Sequence, residues 1–242
     1  MSVIEARDVS VIYEGKKSDV VALDGFSAVF GEGMNVLVGY SGCGKTTLLR
    51  TIAGLTDPDE GQILLDGTDI TDLAVKERNF AYVSQEYVLY PQYTVFDNIA
   101  FPLRQIGADR EEILRRVREI AELTELTACL TRKPKHISGG QQQRVAIARA
   151  LVRQPAVCLF DEPFSNVDAQ TRARTRKWMK STFRTLGCTS IYVTHDMGEA
   201  LTMADTLYVI HDGRLEFCGS PENAAKSESV VVKALMEGSL SE

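Results

Sequence analysis

Cysteine is sparse and unpaired in this chain. Cys43, Cys129, Cys158, Cys188 and Cys218 are scattered, with no C-x-x-C spacing among them. That argues against both a zinc site and a disulfide framework, and suits a reducing compartment. No apolar run approaches the length needed to cross a bilayer, so any membrane role needs a partner. The opening stretch MSVIEARDVS carries acids and no apolar core, unlike a secretory signal. A cytoplasmic location is expected. Positive charge is not in excess either: 27 Lys and Arg against 33 Asp and Glu leave a net charge of −6, with no overall bias towards nucleic acid. Internal repeats and low-complexity tracts are absent as well. What remains is an ordinary soluble composition, 44% apolar and 25% charged over 242 residues. The length fits one large domain, or a domain with a sizeable subdomain.

The first third reads as strands. SVIEARDVSVIY and DVVALDGFSAVF alternate or run apolar, and GEGMNVLV gives a loop and a short buried strand. Asp66-Gly67 lies between apolar runs, a strong hairpin signal, and Asp212-Gly213 repeats it near the end. From about Gln85 to Leu151 the pattern turns helical. Ile113, Val117, Ile120 and Ala121 fall on one face of GADREEILRRVREIAEL, with Asp109 and Glu112 at capping-box positions. A buried strand AVCLF, a helix and another strand SIYV follow, then a short helix candidate after Pro221. Strands and helices alternate around a strand–glycine loop–helix. The expected class is therefore α/β, a P-loop core with a mainly parallel sheet, interrupted by a helical insertion.

Residues 39 to 47 read GYSGCGKTT and match G-x-x-x-x-G-K-[ST] at Gly39, Gly44, Lys45 and Thr46. Glycines let successive backbone N–H groups turn inward around an anion, and the helix starting at Lys45 adds its positive end. Lys45 supplies a point charge to the β- and γ-phosphates of a nucleotide, and the Thr46 hydroxyl takes one Mg2+ position. Gly39, Tyr40, Ser41, Gly42, Cys43, Gly44, Lys45, Thr46 and Thr47 are thus the expected phosphate-binding residues. A P-loop alone does not distinguish kinase, GTPase, recombinase or transport motor. VCLFDEP narrows the choice by placing Asp161 at the C-terminal end of an apolar strand, where α/β sheets hold ligands. Asp161 is expected to hold Mg2+ through water, and Glu162 to polarise the attacking water.

A second glycine-rich helix start, ISGGQQQR at residues 137 to 144, is harder to place. Ser138 is a good N-cap and Gln141 completes a capping box, with Val145, Ala148, Leu151 and Val152 on one face. The letters could mark no more than a helix start. Yet two consecutive glycines weaken a helix and open its N–H groups to an anion, while the lack of a lysine makes a poor phosphate site alone. It makes sense as the second half of another chain's site.

Taken in order, GYSGCGKTT, SQE (84–86), ISGGQQQR, VCLFDEP, SNVD (165–168) and VTHD (193–196) resemble the six motifs of ABC-transporter ATPase subunits, and they span nearly the whole chain. The resemblance implies that two copies pair head-to-tail, each P-loop and the other's signature loop enclosing ATP. Ser138, Gly139, Gly140 and Gln141 would then face the nucleotide of the opposite subunit, as homo- or heterodimer. It implies that Gln85 senses Mg2+ and the attacking water, that Asp168 crosses the dimer interface, and that His195 donates to the γ-phosphate. Tyr13 sits where the family stacks an aromatic on adenine; a buried strand tyrosine is the rival reading. On the same grounds the chain divides into a nucleotide-binding core at about 1–86 and 153–220, with an N-terminal antiparallel β-subdomain. A helical subdomain carrying the signature runs from about 87 to 152, and a tail from 221 to 242. The site would sit on the cytoplasmic face of the membrane, against permease subunits and indirectly a solute-binding protein.

Tyr87, Tyr90, Tyr93, Phe96 and Phe101 crowd one stretch after Gln85, and aromatics favour interfaces. In the family this region receives a helix of the membrane subunit. The wording resembles importers of sugars, glycerol phosphate and polyamines, the maltose-type carbohydrate branch above all. Three departures stand out. The chain stops about where that branch begins a regulatory β-domain, so such regulation is expected to be lacking. Ile137 replaces the usual Leu, and Met197 stands where Gln is common. From Ala169 to Cys188 six basic residues occur with no acid. There Thr175, Met179, Thr182, Phe183 and Leu186 are expected to face inward, with Arg172, Arg176 and Lys180 solvated. A basic surface of this kind could instead touch lipid headgroups or nucleic acid, as in ABC ATPases of DNA repair or translation. Cys43 lies among N–H groups that would stabilise a thiolate, so alkylation there is expected to block activity.

Overall fold

The computed structural model describes residues 2–15, 18–86, 88–164 and 169–238, with 169–174 and 184–185 described in backbone alone. Tyr87, Asp168 and the side chain of Arg172 lie outside the described residues. The N-terminal runs form β1 (Ile4–Tyr13), β2 (Val20–Phe30) and β3 (Met34–Val38), and the glycine loop leads into α1 (Lys45–Ala53). β4 (Glu60–Leu65) and β5 (Thr68–Asp69) turn at Asp66-Gly67, whose φ angles of 51° and 79° suit a two-residue hairpin. Next come α2 (Val75–Arg78) and β6 (Phe80–Val83), four residues each and too short to stand out in the sequence. The helical stretch is α3 (Val95–Gln105), α4 (Arg110–Leu123) and α5 (Gly139–Leu151). The chain returns through β7 (Val157–Asp161), α6 (Ala169–Leu186), β8 (Thr189–Thr194), α7 (Met197–Met203), β9 (Thr206–His211) and β10 (Arg214–Gly219). After Pro221 the single helix expected is two, α8 (Pro221–Ala224) and α9 (Val230–Glu237).

Two sheets result. One is antiparallel, in the order β2-β1-β4-β5; the other has six strands in the order β10-β9-β3-β8-β7-β6, parallel except for β10. The parallel strands are buried on both faces, which is why VCLF and SIYV read as unbroken apolar runs. Alternate side chains enter separate cores. Leu37, Val157, Leu159, Ile191 and Val193 pack with α1 and the antiparallel sheet, while Val36, Val38, Cys158, Phe160 and Tyr192 pack with α3 to α7.

The helix faces follow the sequence closely but not everywhere. Ile113, Val117, Ile120 and Ala121 are the buried residues of α4. Asp109 caps that helix by accepting from the Glu112 N–H at 2.8 Å, but Glu112 does not complete a capping box. Its carboxylate pairs instead with Arg116, one turn on, at 2.7 Å. On α6, Thr175, Met179, Thr182 and Phe183 are buried as expected, whereas Leu186 is 40% exposed because the helix ends there. Arg176 and Lys180 are half-buried and held within the chain, not fully solvated. Arg176 pairs with the buried Glu199 at 2.9 Å and approaches Asp196 at 3.6 Å, and the Lys180 ammonium donates to the Thr202 carbonyl at 2.6 Å. Two of the basic residues of α6 thus answer groups of α7 and its N-cap: Glu199, Asp196 and a carbonyl of its last turn.

Candidate functional site

Sheet register decides which residues meet. Val38 at the end of β3 is paired with Thr194 at the end of β8, so Gly39 and His195 leave the sheet side by side. Asp161 at the end of β7 is paired with Val193, and the Glu162 N–H donates to the Val193 carbonyl at 3.1 Å. Three motifs far apart in sequence thus share one edge, the carboxyl ends of adjacent parallel strands.

The P-loop is wedged into place by close backbone approaches. A β-carbon at Gly44, where φ is 104°, would lie 2.2 Å from the Ala22 carbonyl oxygen, and one at Gly39 would lie 2.3 Å from that of Ile210. Lys45 is 5% exposed, and its ammonium donates to the Gly39 and Tyr40 carbonyls at 2.8 and 2.7 Å. The cation therefore already sits inside the ring of the loop. Cys43 corrects the expectation of a thiolate: it is 6% exposed, its sulfur lies 3.7 Å from the Lys45 ammonium, and burial pushes its thiol pKa up. Ser41 and Gly42 face outward, as does Thr46, while Thr47 is half-buried.

The Thr46 hydroxyl donates to Asp161 Oδ1 at 2.9 Å, so the two oxygen donors expected to serve a metal are in contact. Asp161 Oδ2 accepts from the Tyr82 hydroxyl, also at 2.9 Å, and burial beside that carboxylate pushes the Tyr82 pKa up. Glu162 has φ of 44°, an uncommon backbone for a non-glycine residue. Its Oε2 lies 2.9 Å from His195 Nδ1. The candidate base and the candidate switch histidine hold each other. Gln85 is exposed, two residues past the end of β6. Tyr13 is 44% exposed, which removes the buried-strand reading, and its hydroxyl lies 3.5 Å from Thr47 Oγ1.

The second glycine-rich segment forms the expected capping box: Ser138 Oγ accepts from the Gln141 N–H, and Gln141 Oε1 from the Ser138 N–H. Its further hydrogen bonds run to Cys129, Pro134 and Ile137, none to residues 39–47 among the described residues. A β-carbon at Gly139 would meet nothing within 4 Å, so packing within this chain does not demand the glycine. Deeper in α5, Gln143 donates to the Pro163 carbonyl just past Glu162. Arg144 pairs with Glu125 and stacks 4.8 Å from the Trp178 ring on α6. Gln143 thereby fastens the helix carrying the signature to the segment that follows Asp161 and Glu162.

Two features escaped the sequence reading. Glu199 is buried and accepts from the Tyr192 hydroxyl, the Thr194 hydroxyl and Arg176, at 2.8, 2.7 and 2.9 Å, which fixes the strand end bearing His195. The spacing Asp196-x-x-Glu199 was its signal, and Asp196 does cap α7 through the Glu199 N–H. The second is α9, whose Ala234 to Glu237 line a cavity of about 870 Å³ together with Tyr40, Ser41, His195 and Met197. A separate groove of about 370 Å³ runs along β6, bounded by Tyr90, Phe101, Arg149 and Arg153. Here the aromatic cluster splits. Tyr90 stacks on Phe101 at 4.7 Å and under the Arg149 guanidinium at 5.2 Å, while Phe96 packs against the helical core. Among the described residues, none form a cluster of three or more His, Cys, Asp and Glu side chains suited to a metal ion. Nor is any helix long and apolar enough to cross a membrane.

Comparison with known proteins agrees with this geometry. The family model for the ABC transporter matches residues 26–165. The trehalose/maltose import ATP-binding protein of Thermococcus litoralis is 52% identical over 77% of this chain and 52% of its own length. The sn-glycerol-3-phosphate import ATP-binding protein of Rhizobium meliloti is 44% identical over 99% of this chain and 68% of its own. The spermidine/putrescine import ATP-binding protein of Acidothermus cellulolyticus is 44% identical over 93% and 59%. The chain thus spans about half to two thirds of the length of the curated relatives it matches. A bacterial ABC transporter cassette solved as a dimer superposes with a TM-score of 0.77 at 30% identity, over 90% of this chain and 98% of that one. A post-hydrolysis state of a cassette, bound to ADP and Pi, gives 0.76 at the same identity and coverage. Phosphate loop, strand-end carboxylates, histidine and signature helix stand in one order and one architecture: the chain belongs to the ABC transporter family.

Proposed function

We propose that the chain is the ATP-hydrolysing subunit of an importer for a small solute, a carbohydrate or a related compound. Two ATPase subunits would close on ATP and drive permease subunits at the cytoplasmic face of the membrane, with a solute-binding protein upstream. The observation that carries this reading is the start of the signature helix: exposed at Ser138 and Gly139 with Gly140 buried behind them, capped, open at Gly139, and bonded to none of the P-loop residues of its own chain among those described. Ser138 Oγ accepts in the capping box, which leaves its proton to donate outward. An anion held by a second copy suits that donor and the helix start behind it.

In this reading the N–H groups of Gly39 to Thr47 cradle the phosphates, and Lys45 moves from two loop carbonyls to the β- and γ-phosphates. Thr46 and Asp161 supply hard oxygen donors in contact with one another, which fits Mg2+, a cation that keeps several of its waters. Mg2+ there would neutralise phosphate charge. Glu162 orients and deprotonates the attacking water once His195 releases it, and His195 turns to donate to the γ-phosphate. Tyr13 stacks on the base, Gln85 reports on the site to the permease, and Asp168 crosses to the other subunit. The groove of Tyr90, Phe101 and Arg149 receives the permease. The division into a core at 1–86 and 153–220, a helical subdomain at 87–152 and a tail at 221–242 belongs to this reading, and contact of α3 with both α4 and α5 supports it. Import and the solute class rest on the names of the relatives. For the alternative, an ABC ATPase acting on nucleic acid or in translation, the basic helix is poor support, because Arg176 and Lys180 bind within the chain.

The test is the mass of Glu162→Gln protein by light scattering, with and without Mg-ATP. ATP binding with a shift from one copy to two is expected. ATP binding with no change of mass would overturn a site shared between two copies of this chain alone, and turn the search to a different ATPase subunit or the permease.

A further inference from the structure

Tyr82 has no role in the reading above, yet it touches its most demanding residue. It stands on β6, paired with Leu159 of β7, so both side chains leave the same face of the sheet, and Asp161 lies two residues further along that face. Its hydroxyl donates to Asp161 Oδ2 at 2.9 Å while Thr46 donates to Oδ1 at 2.9 Å. The two oxygens are divided between two jobs. One faces the P-loop; the other is pinned by a neighbouring strand. A carboxylate turns readily about its Cβ–Cγ bond, and a hydrogen bond to its charged form is a strong restraint on that turn.

We propose that Tyr82 is a positioning residue for the metal site: it fixes the rotation of Asp161 so that Oδ1 stays on the Thr46 side. This rests on Asp161 holding the metal. Two effects oppose one another. The phenol withdraws charge from the carboxylate, which weakens its pull on a cation, and it holds the carboxylate in place, which strengthens it. Mg2+ gives up its waters reluctantly, and a water layer softens the difference in charge while leaving the demand for position intact. Position wins. Tyr82 also belongs to the β6 edge that lines the groove of Phe101 and Arg149, and Gln85 follows three residues later. The residue that holds this carboxylate therefore also borders that groove.

The experiment compares binding of a fluorescent, non-hydrolysable ATP analogue by the full chain in EDTA and in Mg2+; the ratio of the two affinities is the contribution of the metal. Wild type, Tyr82→Phe and Asp161→Asn are compared. Tyr82→Phe is expected to bind as wild type in EDTA and to lose about tenfold of the Mg2+ enhancement, the scale of losing a partner behind a metal ligand. Asp161→Asn is expected to lose most of the enhancement. An unchanged or larger ratio in Tyr82→Phe, with Asp161→Asn impaired, overturns the role of Tyr82 alone. An unchanged ratio in Asp161→Asn overturns the reading of Asp161 and the proposal with it. Should Tyr82→Phe fail to bind in EDTA, Tyr82→Met, apolar and without a donor, is read by the same criteria.

Discussion

His195 and Glu162 meet at 2.9 Å, though 33 residues separate them, because their strands are neighbours in register. On the proposed roles, His195→Ala leaves nucleotide affinity within a few-fold of wild type and lowers turnover by about 10²- to 10⁴-fold, the range of a positioned proton or hydrogen-bond donor. Comparable losses in affinity and turnover would instead assign His195 to ground-state binding. Cysteine reactivity makes a second residue-scale expectation. The Cys158 thiol donates to Cys188 across 3.8 Å and holds the half-buried Cys188 at about 7, whereas burial pushes Cys43 up. Because the Cys188 pKa is lowered, its thiolate gains population as pH rises through about 7. Iodoacetamide is expected to modify Cys188 ahead of Cys43, with a rate that climbs across that pH and vanishes in Cys188→Ser. Mass spectrometry finding Cys43 modified first would contradict this. Much of the site was legible at this scale: Lys45, Thr46, Asp161 and Glu162 announce themselves through residue type and spacing. Tyr82 does not, and Asp196-x-x-Glu199 marks Glu199 as a helix-cap position without showing what its carboxylate holds. A hydroxyl on a strand and an acid on a helix gain meaning only when the sheet brings Asp161 to one and Thr194 to the other.

At the scale of elements, α5 has two duties at one end, and substitution can separate them. Ser138→Ala removes the side-chain acceptor of the capping box and is expected to cost about 1 kcal/mol of stability. Ser138→Asp keeps a good N-cap and should melt close to wild type, but sets a carboxylate where a phosphate of the other subunit is proposed to lie. Calorimetry on both variants, followed by light scattering with Mg-ATP, checks the pair: the aspartate variant should be stable and monomeric. If it dimerises normally, the Ser138 segment serves its own helix and nothing more. Helix periodicity made α4 readable because it presents one face to a nearby core, whereas α5 is buried without a break from Gln143 to Ala148 and was marked by its capping box. β6 and α2 were not readable at four residues each, while the second tail helix, α9, runs between a Ser229 N-cap and Gly238 and packs on α7 and β10. The basic run of α6 misled for a related reason. Two of its charges, Arg176 and Lys180, are answered by Glu199, Asp196 and the Thr202 carbonyl, groups that sequence distance hides.

For the whole molecule, subunit closure and permease docking should be separable. Phe101 stacks on Tyr90 beside the groove and touches no residue proposed to bind nucleotide. Phe101→Ala is therefore expected to keep ATP-driven dimerisation. It should weaken capture of the permease subunits by about 2 kcal/mol, roughly 30-fold, as for an aromatic anchor at an interface. Co-purification with co-expressed candidate permease subunits, with and without the substitution, measures this. Undiminished capture would move the docking surface elsewhere. The pairing of Glu162 with His195 has a consequence for the cell. On the proposed roles, while the imidazole holds the carboxylate a lone subunit filled with ATP would have no free base beside its nucleotide, and the resting protein would act as a store and not a drain. Hydrolysis would wait for a partner to arrive, and a pool of unassembled subunits would leave the cell's ATP almost untouched.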